Sequence, residues 1–306
     1  MSDTTLMVVT TLAAVAELMG DMEAMANHIK GLKAIVSLRG GMRALNTYNN
    51  TQVKVCRADL EYALASGQRP SLLPTEQISW ECYVADRGLI RCNHQPSGAD
   101  GLRTFLETIL DRKLSNVLKD LHAFCCISNL AYQTTRKLSP DTYNEVMISV
   151  LYRLTHLSFE TDALQRVVRT GLLVFSSMMF MQRYVMDKPY DHLLCLFTSA
   201  LWRLWNSTYT KVPTPIALWL TVLSHIVAQK NLPPTDWRCI WLDRSISYAG
   251  IESWPQAREL LRSVVWVDFI HNRPGQNAFE LAMVRLKGTA HSKSSALHYR
   301  PQPYVQ

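Results

Sequence analysis

Along most of this 306-residue chain, apolar side chains return every three or four positions, the period of a helix with one buried face. Leu6, Val9, Leu12, Ala13, Ala16 and Met19 mark the first such face. Gly20 ends that helix, and Asp21 stands where it can cap the next, whose inner face is Met22, Met25, Ile29, Leu32 and either Ile35 or Val36. So short a link predicts an antiparallel pair, and Gly20, Gly40 and Gly41 supply the positive φ that helix C-termini favour. A third helix is expected over Gln52–Ala65, with Val53, Cys56, Leu60 and Leu64 inward. The spacing from Leu102 to Leu130 predicts one long helix or two in line. Ser139-Pro140-Asp141 opens another as N-cap and first turn.

Further helices are expected over Asp162–Tyr184, Tyr190–Trp205, Pro215–Ala228, Thr235–Ala249 and Pro255–Ile270. Two segments, GLLVFSSMMFM and PIALWLTVL, are apolar nearly all round and belong at the centre of the assembly. Helical pairs recur without a fixed period, which argues against a regular solenoid. The pattern predicts an all-α fold, a single large multi-helix domain of packed antiparallel helices over residues 1–286, followed by a basic tail at 287–306.

Composition changes this picture little. Glycine is scarce, at 12 residues, and the 13 prolines cluster between apolar runs, which suits helices better than turn-dense sheets. The formal charge of +7 is unevenly placed: residues 1–29 hold four acids and no Lys or Arg, and no acid follows Glu280. A basic tail of that kind reads as a solvated, disordered end, with an anionic-surface or nuclear-import role as the alternative. Seven cysteines at irregular spacing form no disulfide framework and suit a reducing compartment. Asp3 and Glu17 stand where a signal peptide would be positive and uncharged. The uncharged stretch Val212–Gln229 carries two prolines, a His and a Gln, so no membrane crossing is expected.

Catalytic signatures are absent: no G-x-S-x-G, H-E-x-x-H, P-loop or G-x-G-x-x-G occurs. His122 and Cys125 share a helix face, yet two ligands do not make a metal site, and Cys125 and Cys126 point apart. Asp86–Arg87 and Asp111–Arg112 read as polar-face charges, and Glu145, Glu160 and Asp162 give no two-carboxylate pattern. No catalytic, cofactor or metal residue is therefore assigned. Trp202, Trp205 and Trp219 belong to a Trp-rich C-terminal half. Helix packing explains them; the functional alternative is a small-ligand pocket with Met178, Met179, Met181 and Met186 as adaptable walls.

The run NHIKGLKAIVSLRGG raises a sharper question, because Gly31 weakens a helix interior by about 1 kcal/mol relative to Ala. Close approach by a neighbouring helix would justify it, with His28 hydrogen-bonding across the contact and Arg39 facing the negative helix end. His28, Gly31, Leu32, Val36, Leu38, Arg39, Gly40 and Gly41 form a run that resembles a signature of fungal-specific transcription factor regulatory domains. The following Ala58-Asp59-Leu60 is similar to the A-D-L segment of that family. The stretch ELLRSVVWVDFIHNRPGQNAFE, with Trp266, Asp268 and Pro274-Gly275, looks like its closing helices.

The resemblance implies an all-helical regulatory region of a binuclear zinc-cluster transcription factor, in which a separate module of six cysteines contacts DNA. No C-x-x-C pair occurs here, so direct sequence-specific DNA binding is not expected. The expected function is that of a non-enzymatic regulator in the nucleus. Its contacts would be with other transcriptional regulators or a second copy of itself, with a small ligand as modulator and no cofactor. The alternative is a helical scaffold, cytoplasmic and without a transcriptional role.

Overall fold

The computed structural model describes residues 3–45, 50–84, 102, 104–134, 138–181, 189–207, 212–228 and 232–297, with side chains through Gly288. Every regular element among them is helical, so the fold is all-α. Cys92, Asp86–Arg87, Met186 and the loop 92–100 lie outside the described residues. The chain divides into two compact units, one built from residues 1–93 and 103–210, the other from 94–102 and 211–306.

The first unit begins with α1 (Asp3–Met19) and α2 (Met22–Leu38). Asp21 caps α2 by accepting from the Ala24 N–H at 2.9 Å, and Gly20 turns the chain at φ +76°. Arg39, past the end of α2, reaches Asp3 at the start of α1 with a 2.6 Å ion pair, so the two helices run antiparallel. α3 (Thr51–Ser66) packs on both. Leu6, Ala13 and Ala16 are the buried residues of α1, whereas Leu12 and Met19, expected inward, are 45% and 80% exposed. The reason is compositional: α1 carries two apolar stripes, and α2 and α3 cover one.

The stretch Leu102–Leu130, expected as one long helix or two in line, is interrupted at Leu110. A single π-turn, Phe105–Ile109, gives way to extended backbone at Leu110, and α4 (Arg112–Gln133) starts afresh with Asp111 accepting from the Lys113 and Leu114 N–H groups. The buried amide of Gln165 holds the break, donating to Ile109 O at 2.8 Å and accepting from the Asp111 N–H at 3.0 Å. The backbone groups that a continuous helix would pair are satisfied from outside instead. α5 (Pro140–His156) opens on the expected Ser139 cap, and α6 (Ala163–Phe180), capped by Asp162, is buried along nearly its whole length. It lies between α5 and α7 (Asp191–Trp205).

The second unit is built round α8 (Thr214–Ala228), against which α9 (Trp237–Ala249), α10 (Trp254–Val264) and α11 (Asp268–Leu297) all pack. The two all-round apolar segments thus each form the centre of their own unit. The helix expected over Pro255–Ile270 is two helices, because Val264, Val265, Trp266 and Val267 are all at most 1% exposed. Four consecutive side chains point to every side of a helix; an extended link at Val265 buries them all. α11 continues past Leu286, where the basic tail was expected to begin, and holds Pro274 in its interior. Among the described residues no helix is long and apolar enough to cross a membrane.

Candidate functional site

The signature residues near the N-terminus divide into packing and surface. Leu32 is fully buried, and Gly40 and Gly41, both at φ +91°, end α2 as expected. Leu38 is 80% exposed. His28 is half-buried, with no hydrogen-bond partner among the described residues. No neighbouring helix approaches Gly31: a Cβ built there meets nothing within 4 Å. The close-packing reading of Gly31 is therefore corrected. Gly31→Ala is expected to stabilise the protein by up to about 1 kcal/mol, read as a raised denaturation midpoint, since only helix propensity changes.

What the α1–α2 hairpin presents instead is the outer face of α1. Thr4, Val8, Thr11, Leu12, Val15, Leu18 and Met19 are its exposed side chains in that arc, and none is charged. Val8, Leu12, Val15 and Met19 follow one another at four, three and four residues, a straight seam along the helix. Asp3 and Glu17 lie on the opposite side of the helix, Asp3 engaged with Arg39. An exposed helix face normally carries the helix's charges; this one carries its apolar residues.

Behind the hairpin, two buried aspartates hold the described chain after α3 at two points. Asp59 on α3, fully buried, accepts from the Ser71 and Leu72 N–H groups, from Ser71 Oγ, and from Tyr152 Oη at 2.7 Å. Asp120 on α4, also fully buried, accepts from the Tyr83 and Val84 N–H groups and pairs with Arg153 at 2.7 Å. Tyr152 and Arg153 are consecutive on α5, so one helix secures both carboxylates. Burial pushes the Tyr152 phenol well above its usual pKa, with Cys56 and Asp59 adding to the shift, so it stays a donor. The Cys56 thiol is pushed up to about 12, mainly by burial. Asp59 was singled out by resemblance; Asp120, Tyr152 and Arg153 were missed. Their signal was present: Arg153 interrupts the apolar face Val150, Leu151, Leu154, and Asp120 interrupts Leu118, Leu121, Phe124.

No known family model, curated protein or solved structure matches the chain. The site must be read from its own geometry.

In the second unit, Trp266 is 1% exposed, donates Nε1–H to Asn272 at 2.8 Å and lies edge-on to Trp254. Its ring explains Gly275, where a Cβ would sit 2.8 Å from two ring carbons. Asp268 opens α11 and binds the Arg262 guanidinium. Both signature residues are structural. His271, buried beside Trp266, has its pKa pushed down to about 4 by burial, against smaller opposing effects of Val267 and Asp268. Its folded pKa lies below the unfolded value near 6.5, so stability falls as pH drops through that interval. Acidification from pH 7 to pH 5 is expected to cost about 2 kcal/mol through this group, measurable by urea denaturation at both pH values.

Of the ligand-pocket residues, Met178 is buried in α6 and Met181 at its C-cap, Trp202 is 47% exposed on α7, and Trp219 is buried in the second unit. Of them Met178 alone lines the small pocket beside α7, with Val174, Ser177, Pro189, Tyr190 and Leu193; its volume of about 10 Å³ holds no more than one water. His122 meets Cys126 at 3.6 Å, one turn on. Cys239 and His225 are also 3.6 Å apart, but burial raises the thiol and lowers the imidazole, so the pair stays neutral. Among the described residues no group of three or more His, Cys, Asp or Glu is placed to hold a metal ion.

Proposed function

We propose that this protein is a non-enzymatic regulator that works by docking an amphipathic helix of a partner protein on the outer face of α1. The uncharged strip Val8–Leu12–Val15–Met19 carries this reading. At 17 residues α1 is about 25 Å long, enough for a helix-on-helix contact, and its four–three–four spacing is the spacing of such a seam. With no charge on the strip, the partner's contact stripe is itself apolar, and polar side chains of the partner fall outside it. The likeness of His28–Gly41 to the regulatory domains of zinc-cluster transcription factors supports a transcriptional regulator as that partner and the nucleus as the setting. The Asp59 and Asp120 clamps are the rigid support behind this surface.

The test is a paired purification from nuclear extract. The unaltered chain is expected to retain transcription components, and the Leu12→Lys/Val15→Lys variant to lose them with its thermal midpoint unchanged, because both side chains are about half exposed. A cytosolic protein that retains only metabolic enzymes, or a variant that binds as well as the parent, would overturn the reading in favour of a scaffold without a transcriptional role.

A further inference from the structure

On the reading that the outer face of α1 docks a helix, the protein itself carries a helix that fits there. The seam is palindromic: its steps of four, three and four residues read the same from either end, with Val8 and Met19 outermost and Leu12 and Val15 inside. A second copy laid antiparallel on it sets Val8 against Met19 and Leu12 against Val15, apolar against apolar at every step. It also sets the N-terminus of each α1 beside the C-terminus of the other, the favourable arrangement of helix dipoles. A two-fold contact between identical chains requires a surface that complements itself in this way. A membrane surface is the poorer occupant, because interfacial helices that bind anionic lipid are flanked by Lys and Arg, and residues 1–29 hold four acids and neither of these.

Charge along the hairpin complements itself in the same sense. The Asp21 N–H donates to Ala16 O at 2.9 Å, which folds the link back on the last turn of α1, and the Asp21 carboxylate accepts from the Ala24 N–H at 2.9 Å. Asp21 and Glu23 therefore stand at the Met19 end of the seam. Both are exposed, and neither pairs with a basic side chain among the described residues. The exposed Lys30 and Lys33 follow further along α2. The Arg39–Asp3 ion pair sets the register of the antiparallel hairpin, so Lys33 lies level with the stretch of α1 around Val9 and Lys30 with that around Leu12. Turning a second copy by half a revolution about the middle of the seam brings Lys33 of each close to the level of the acidic link of the other. Within one copy, Lys33 and Glu23 are about 15 Å apart along α2, beyond the screening length of roughly 8–10 Å, so neither answers the other.

We propose that the protein alone forms a two-fold symmetric homodimer through antiparallel α1 helices, which covers the face that a partner helix needs. A seam along one 17-residue helix is a small interface, so the dimer is expected to be reversible, with a Kd in the micromolar range. Sedimentation velocity on the full chain, from about 1 to 100 μM, is expected to show monomer giving way to dimer. Leu12→Lys/Val15→Lys is expected to stay monomeric with its thermal midpoint unchanged. Glu23→Lys and Lys33→Glu alter exposed side chains and are expected to keep the parent's helical circular dichroism. Each sets like charges across the two-fold and is expected to weaken the dimer about fivefold. The double variant Glu23→Lys/Lys33→Glu exchanges the two signs and is expected to regain the parent's affinity, a rescue that only contact between copies supplies. The proposal is overturned by a monomer at every concentration, by a dimer that survives Leu12→Lys/Val15→Lys, or by a double variant no better than the single ones. Partner docking is judged apart from it. A monomeric parent that retains nuclear components, and loses them in Leu12→Lys/Val15→Lys, leaves docking standing and removes the dimer.

Discussion

Arg153→Met is expected to lower the stability of the first unit by about 3–5 kcal/mol, the scale on which a buried ion pair fails when one partner is removed. Arg153 and Asp120 have side chains 1% and 0% exposed and are 2.7 Å apart. The methionine fills much of the same volume, so the loss comes from the charge it abandons. Asp120 keeps the Tyr83 and Val84 N–H groups, which do not neutralise a carboxylate that water cannot reach. The double variant Asp120→Asn/Arg153→Met separates charge from packing. Asparagine still offers Oδ1 to both N–H groups, and no net charge remains. Urea denaturation should therefore show the double variant more stable than Arg153→Met by about 2 kcal/mol or more. A single-variant loss below about 1 kcal/mol, or a double variant no better than the single, would mean the pair is solvated and is not the clamp described above.

The same two residues show what the sequence made legible and what it hid. Apolar period and punctuation sufficed for the helices: Asp21, Ser139 and Asp162 cap as polar residues before apolar runs do, and Gly20, Gly40 and Gly41 turn the chain at positive φ. Period alone could not show which stripe of α1 would be covered, because both stripes are apolar and the choice is made by α2 and α3. Nor could it find the break at Leu110, which rests on an amide of Gln165 54 residues away from Asp111. The run of valines around Trp266 suited a helix by composition, yet burying all of them requires extended chain. Gly31 misled for a related reason: a glycine states what is sterically allowed and not what approaches it. Trp219 and Met178 share a chemical character but belong to different units, which composition alone does not reveal. The charges inside apolar faces, Asp120 and Arg153, were the readable sign of a buried network; their partnership, 33 residues apart, was not.

Asp59→Ala is expected to cost about 3 kcal/mol or more. The carboxylate accepts from two backbone N–H groups, a serine hydroxyl and a phenol, and alanine leaves all four without their acceptor. Leu72 and Tyr152 are 8% and 1% exposed, so water cannot freely replace what is lost, and each buried donor left unsatisfied costs about 1–3 kcal/mol. The phenol cannot escape by ionising, since burial holds its proton. A graded series follows from the bond count. Tyr152→Phe removes one donor and is expected to cost about 1 kcal/mol; Asp59→Asn keeps one acceptor oxygen but turns an amino group on donors, and falls between. Urea denaturation reads the series: an Asp59→Ala loss no larger than that of Tyr152→Phe would mean that the Ser71 and Leu72 N–H groups find other acceptors and that the carboxylate is not what holds this stretch.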